Sequence, residues 1–395
     1  MATTVTVPGA SGSQIPNPYN TTYNLAVAQQ ISSMLADAQG SSTLVITDSD
    51  QNAEVILPGQ VGEVAVTLPG ASVVNLPQGY SYTALDQSVT GPVTINGGGS
   101  LFAGNQQITY NGAAGSDTAY IAAGDGNDLF NMPAGSNYVM GLGNGNDTVY
   151  ADGSGSIAGG SGRNFFDIGG PPGSNNVVSS NGDQDTIIAG AGNVSVNTTG
   201  TDPSVVGGTG NLVYLGSAAG DPTITGATGT GHETLFGGAG QDITYQDNPA
   251  GAASPGSAIF GAGAGNETLN AGGSSTGVQL AAGVGSVDMI GSTGPDTFYG
   301  GDGYATMTGN GGDNVFEFAM ANGTLQGGGT NIITDFNVQN DDFILVGYGA
   351  TGAQDALKGA TVSGGNTFVK LSDGTSIEFV SVIAPALIRS QSFTS

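Results

Sequence analysis

The sequence predicts an all-β protein, a parallel β-solenoid of the β-roll or β-helix kind, with one short N-terminal helix and a β-rich C-terminal cap. Three observations carry this. Short β-type runs follow one another from Thr43 onward, broken by Gly, Pro or Asn, as in TLVIT (43–47), EVILP (54–58), EVAVTLP (63–69) and PVTIN (92–96). A glycine-rich phrase recurs at a near-constant interval. The glycines, 72 of 395 residues with 16 prolines, are periodic, and Gly plus Pro stays under the roughly 25–30% that marks a low-complexity chain. Short strands at regular spacing with glycine punctuation point to a repetitive β architecture.

The elements follow in order. Residues 1–42 form an N-terminal arm and helix. The arm is rich in Pro, Gly and Ser and holds one β-branched patch, Thr3–Val7. A helix is predicted from Thr22 to Gln39, because Tyr23, Val27, Ile31, Met34, Leu35 and Ala38 recur at helical spacing and make one apolar stripe. Asn20, Thr21 or Thr22 caps its start and Gly40 ends it. Such a helix packs on a β core or caps one end of it. Residues 43–330 are the Gly/Asn-rich solenoid. From 331 to 395 the glycine corners thin out and alternation increases, which reads as a β-rich cap with a tail of small and hydroxyl residues.

The repeat opens with AAGDGNDLFNMPAGSNYVMGLGNGNDTVY, residues 122–150, where one phrase is written twice. Related phrases are GGSGRNFF (159–166), NGDQDTII (181–188), GGTGNLVY (207–214), GTGHETLF (229–236), GGAGQDITY (237–245), AGAGNETL (262–269), TGPDTFYGGDGYATM (293–307) and GNGGDNVF (309–316). Marking the residue two places before the inward apolar residue gives Asp128, Asp147, Asn164 and Asp185, spaced 19, 17 and 21 apart. Other intervals are 9, from Glu233 to Asp242 and from Asp296 to Ala305 to Asn314. About nine residues make a turn and a short strand, so two such units make one coil, and coils stack at the inter-strand spacing of about 4.8 Å. On that count residues 43–330 hold roughly fourteen coils. Glycine is expected at the corners because it adopts positive φ without a Cβ clash.

Charge excludes several functions. Against 31 Asp and Glu stand only Arg163, Lys358, Lys370 and Arg389, for a formal net charge of −27. Nucleic acid is excluded as a partner, since binding it requires clustered Lys and Arg. No segment reaches the ~18 apolar residues of a membrane helix, so no membrane insertion is expected. There is no cysteine, and the start MATTVTVPGASGSQ lacks the basic and apolar segments of a signal peptide. His232 is the lone histidine, so a zinc site or a Ser-His-Asp triad has no second nitrogen to use. Asp341-Asp342 reads as a solvated or calcium-linked turn.

Markers one coil apart fall in one column, so Asp128 and Asp147 face each other across adjacent turns. Two carboxylates with turn carbonyls make an all-oxygen environment suited to Ca2+. Asp125, Asn127 and Asn146 flank the pair, and Asp185, Asp242 and Asp296 are further candidate metal ligands. The alternative for each is a turn residue bonding local backbone.

The phrase resembles the nonapeptide repeat of the RTX (repeats-in-toxin) family, GGxGxDx-apolar-x, best at 123–131, 142–150 and 237–245. The resemblance spans about 110–335, and 331–383 is similar to the region after such repeats. It implies a parallel β-roll with calcium between turns and export by the type I secretion machinery through an uncleaved C-terminal signal. The protein would then be extracellular or on the cell surface without an N-terminal signal peptide. The marker drifts to Asn164, Leu212, Glu233, Glu267, Ala305 and Asn314 while the glycines and apolar residues persist, so the shape is kept throughout and calcium only in places.

The expected function is therefore structural and not enzymatic: a secreted protein that self-assembles as a surface-layer, biofilm-matrix or filament subunit. Assembly would use the solenoid's open strand edges or addition of Thr3–Val7 to a neighbour. The alternatives are a polysaccharide lyase or epimerase on a β-helix, and a surface adhesin.

Overall fold

The computed structural model describes residues 2–395 apart from 68, 70, 71, 116, 217–219, 227–230, 239–243, 247–258, 262, 321–327, 384–392 and 395. Asp242 and most of the C-terminal tail lie outside the described residues. The chain forms two compact units, 1–203 and 204–395. Both are parallel β-solenoids, about 13 turns between them.

The first unit opens with an antiparallel hairpin, β1 (Thr3–Pro8) and β2 (Gln14–Tyr19), followed by α1 (Thr22–Gly40). Thr21 caps α1 in a reciprocal box: its hydroxyl accepts from the Asn24 N–H and the Asn24 side chain accepts from the Thr21 N–H. The helix runs through Gly40, and Ser42 takes the left-handed turn, at φ +58°, that the sequence suggests for a glycine. Val27, Ile31, Leu35 and Ala38 are buried as the stripe predicts, whereas Tyr23 is exposed. The patch Thr3–Val7 is a strand, but in this chain its partner is β2, and Val5 and Val7 are buried in the hydrophobic cluster under α1.

The coils begin with β3 (Leu44–Asp48), β4 (Val61–Val66), β5 (Ser72–Asn75) and β6 (Tyr80–Leu85). Two parallel ladders grow from them. One continues β3, β4 and β6 through 100–102, 118–122, 137–141, 154–158, 175–180 and 193–198. The other continues β5 through 93–96, 108–111, 129–132, 148–151, 165–168 and 186–189. Because side chains alternate across a strand, each ladder sends one column inward. Val64, Thr83, Leu101, Ile121, Met140 and Ile157 line one side, and Val74, Ile95, Tyr110, Phe130, Val149, Phe166 and Ile187 the other. On the outer face of the second ladder Asn75, Asn96, Asn111 and Asn131 form an amide chain with bonds of 2.9, 2.7 and 2.8 Å. The predicted strand at 54–58 does not form. The Glu54 N–H donates to the Tyr80 hydroxyl at 3.0 Å, and that hydroxyl donates to the Glu54 carbonyl at 3.2 Å, so this backbone is bonded to a side chain and not to a ladder.

α1 does not cap an end. It lies along the outer face of the first ladder, over the column Ala65, Ala84, Phe102 and Ala122. Nineteen residues rise about 28 Å, close to the ~24 Å across the six strands from β3 to 137–141. Gly141 completes the column, and a Cβ there would overlap the backbone of Asn24. The arm also reads successive coils: Asn17 Nδ2 donates to the Leu85 carbonyl (2.8 Å), Tyr19 Oη to Ala103 (2.8 Å), Asn24 Nδ2 to Ala123 (3.0 Å) and Thr21 Oγ1 to Leu142 (3.3 Å).

In the second unit strands again alternate between two parallel ladders, from 204–206 and 212–215 onward. The ladder strand Thr330–Ile333 pairs in register with Tyr304–Met307, so the first strands of the cap region continue the coils. Closure follows. Ser376–Phe379 adds in parallel to 330–333, and then 366–370 and 361–363 add antiparallel. Phe316, Phe336, Phe343 and Phe379 fill the end with ring contacts of 5.1–5.7 Å. A second helix, α2 (Gly352–Lys358), packs beside 342–346 and 366–370.

One buried acid stands apart. Glu63 sits in β4 between Ile46 and Tyr82 in register, fully buried, and neither carboxyl oxygen has a hydrogen-bond partner. Burial raises its pKa to about 8. An acid whose folded pKa exceeds its unfolded value of ~4.3 stabilises least when ionised, so the fold loses stability as pH rises from about 4 to about 8. Replacing Glu63 by Gln or Leu is expected to flatten the fall in thermal midpoint between pH 5 and pH 9. A wild-type midpoint that does not fall over this range would contradict the assignment.

Candidate functional site

The site is a corner of the first unit, where the repeated phrase joins one ladder to the other. Registers place Val93, Ile108, Asp128, Asp147, Asn164 and Asp185 in a single column, one residue above the next. The predicted alignment of Asp128 with Asp147 is therefore present. Their side chains point inward and are buried, 2% and 1% exposed, on the same face as Phe130 and Val149 two residues later. That direction follows from strand parity.

The column is a hydrogen-bonded ladder. The Ile108 N–H donates to Asp128 Oδ1 (2.8 Å), Asp128 N–H to Asp147 Oδ1 (3.0 Å), Asp147 N–H to Asn164 Oδ1 (2.9 Å) and Asn164 N–H to Asp185 Oδ1 (2.5 Å). Outside the same corner, bonds run the other way. Asp125 Oδ1 accepts from the Asn144 N–H at 2.9 Å, Asn127 Oδ1 from Asn146 at 2.8 Å and Asn146 Oδ1 from Arg163 at 2.8 Å. Asn20 Nδ2 also donates to both Asp125 oxygens, at 2.8 and 2.7 Å, which ties the arm to this corner. The turn residues thus bond backbone, as the alternative reading has it, but the backbone belongs to the neighbouring coil.

The phrase glycines are needed for a reason the sequence reading missed. Gly126, Gly145, Gly162 and Gly182 do not have positive φ. They stack: a Cβ on Gly145 would overlap the Gly126 carbonyl oxygen, and Gly162 and Gly182 meet the preceding glycine carbonyl in the same way. Close approach of coils, not a left-handed turn, requires glycine here.

A second ladder lies in the second unit. The Val278 N–H donates to Asp296 Oδ1 (2.8 Å), Asp296 N–H to Asn314 Oδ1 (3.0 Å) and Asn314 N–H to Asp341 Oδ1 (2.9 Å). Asp341 is thereby a buried rung and not a solvated turn; Asp342 beside it is exposed. Asp296 Oδ2 accepts from the Ser292 N–H and Asp341 Oδ2 from the Asn337 N–H, both at 2.8 Å. In the first unit Asp185 Oδ2 is bonded by the Ser180 hydroxyl. Asp128 Oδ2 and Asp147 Oδ2 are buried without a partner.

Those two spare oxygens set the electrostatics. Burial, and then the neighbouring Asp147 charge, push the Asp128 pKa up to about 8 against the lowering effect of the Ile108 N–H. Burial likewise raises Asp147 to about 7, and Asp185 to about 6. Asp296 and Asp341 are raised too, again by burial first. The pair can hold a proton or accept a hard cation. Among the described residues no three acidic, histidine or cysteine side chains converge on one point. The donors suit calcium in kind, oxygen only, and fall short of its usual six to eight in number. His232 is exposed, and its backbone N–H donates to Asn211 Oδ1 at 2.8 Å. No protein-family model matches the chain, and no curated protein matches it.

Two outcomes follow. Gly145→Ala is expected to cost about 1–3 kcal/mol in chemical denaturation, as an overpacked site does, whereas Gly115→Ala, with open space around it, is near neutral. Asn164 shows that an amide fits the column, since its Nδ2 donates to the Gly162 carbonyl at 3.0 Å. Asp128→Asn with Asp147→Asn is therefore expected to fold. In chelator, the raised pKa values make the wild type lose stability from about pH 4 to about pH 8, and the double variant should lose less. Equal pH profiles would refute the neutral-acid assignment.

Proposed function

We propose that this chain is a structural, non-enzymatic protein that self-assembles outside the cell, as a subunit of a surface layer, biofilm matrix or filament. The observation that carries the reading is the corner chemistry. The aligned Asp and Asn side chains, the groups a reactive site would draw on, are spent on holding one coil to the next. The arm adds four more coil-spanning bonds. A chain whose polar groups serve its shape suits a building block. Export by a type I route rests on the repeat's resemblance alone.

Calcium enters this reading at Asp128 and Asp147, whose spare oxygens are the atoms it would use. Bound there, the ion would supply positive charge to a corner that holds none beyond Arg163 nearby. It would favour the ionised carboxyls and so oppose their loss of stability at higher pH.

Electron microscopy of concentrated protein in calcium and in chelator tests both parts. Ordered polymers are expected in calcium. Calcium is also expected to raise the thermal midpoint of the wild type at pH 8 and to leave Asp128→Asn/Asp147→Asn unchanged. Absence of polymers under every condition would remove the assembly reading. Identical polymers and midpoints in chelator would remove calcium from it.

A further inference from the structure

We propose that the N-terminal arm, residues 2–40, is a pH-operated latch: ionisation of Glu63 lifts α1 off the first ladder while the coils beneath it stay formed. This is independent of the assembly reading.

Topology allows the movement. Among the described pairings β1 bonds only to β2, and neither strand joins a ladder. The arm can therefore leave the coils without breaking a ladder bond. It connects to β3 at one place, through Ser41–Thr43, where Ser42 takes φ +58°. What holds it down is apolar contact with the cluster under α1 and single side-chain bonds, such as Asn17 to the Leu85 carbonyl and Asn24 to Ala123.

Geometry places the trigger beneath the latch. Strand parity sends Glu63 to the same face as Ala65, the face that α1 covers. Its neighbours in register, Ile46 and Tyr82, both pack against the α1 cluster. The Tyr82 hydroxyl reaches α1 itself, donating to Met34 Sδ at 3.5 Å. The ladder is irregular at this point: Ser81 is an extra residue opposite the step from Gly62 to Glu63, a bulge of the kind that re-aims a side chain. Glu63 is fully buried there, and neither of its oxygens has a partner.

No group around it balances a charge. Residues 2–36 hold no charged side chain, and the titratable residues of α1, Tyr23 and Asp37, are exposed. Tyr19 of β2 is already bonded to Ala103. The ladder contributes the phenols of Tyr82 and Tyr120. β3 contributes Asp48, which the Thr67 hydroxyl bonds at 2.8 Å. Asp125, under the other end of the arm, is held by Asn20. All are acids or phenols, and the first cationic side chain in the sequence is Arg163. With α1 down, an ionised Glu63 has neither donor nor counter-ion; with α1 up, water solvates it. The closed arm thus holds the proton and the open arm releases it. Between the ~4.3 of a solvated glutamate and the value of about 8 under α1, the open population rises about tenfold per pH unit.

Hydrogen exchange of the full chain in chelator, corrected for the intrinsic rate at each pH, tests the latch. Amides of α1 are expected to lose about a hundredfold of protection between pH 5 and pH 8. Strand 165–168 should stay at least about tenfold better protected than α1 at pH 8. Glu63→Gln and Glu63→Leu should each keep α1 protection level over the range, and two variants guard against one that fails to fold. The chain has no cysteine, so Ala28→Cys, at a buried position of α1, gives a second readout. Its labelling, taken relative to the unfolded chain, should rise with pH and stay low when Glu63→Gln is added. Loss of protection in α1 and in 165–168 together would show that only the whole unit opens. Wild-type protection that is flat with pH, or that falls equally in both Glu63 variants, would remove Glu63 as the trigger.

Discussion

One bond organises the molecule: a backbone N–H of one coil donating to a side-chain oxygen in the same column of the next. A parallel ladder bonds its strands but leaves the turn amides without partners, and a buried amide left so costs free energy. At the corners Asp and Asn supply the acceptors, and they do so only if the coils stay in register. A slip by one residue would turn the whole column to the other face. Asp128, Asp147, Asn164 and Asp185 therefore define the register as much as the strands do.

The rest follows from the closeness this bond demands. At inter-strand spacing the turn carbonyl of one coil lies against the Cα of the next, and only glycine leaves room, as Gly145 does over Gly126. The inward direction of the acceptor also desolvates it. Asn satisfies the geometry without that electrostatic cost; Asp gains a second oxygen that needs a proton, a donor or a cation. Ser180, Ser292 and Asn337 supply donors to Asp185, Asp296 and Asp341. Asp128 and Asp147 have none and so have the most strongly raised pKa values among these rungs that carry a number. Burial of this kind lets a chain with so few cations stack Asp128 over Asp147, because Asp128, raised to about 8, stays largely protonated near pH 7.

The arm applies the same logic from outside. α1 rests on a column of one buried residue per coil, alanine or glycine except for Phe102, and four of the arm's side chains bond four successive corner carbonyls. It spans the first coils along their length, which suits a region where the column holds Val93 and Ile108 instead of polar rungs.

Much of this was legible in the chain itself. Periodicity alone determined the solenoid, the column of Asp128 over Asp147, the inward Phe130 and Val149, and the amphipathic helix after Thr21, because each depends on a repeat distance or a local cap. Tertiary structure decided the rest. It turned the acids inward onto the neighbouring coil's amides, made glycine at 126, 145, 162 and 182 a matter of contact and not of φ, laid α1 along a flank, drew Glu54 out of the ladder to Tyr80 and made Asp341 a rung. These depend on which groups meet across coils, and a one-dimensional spacing records alignment but not the atoms that alignment brings together.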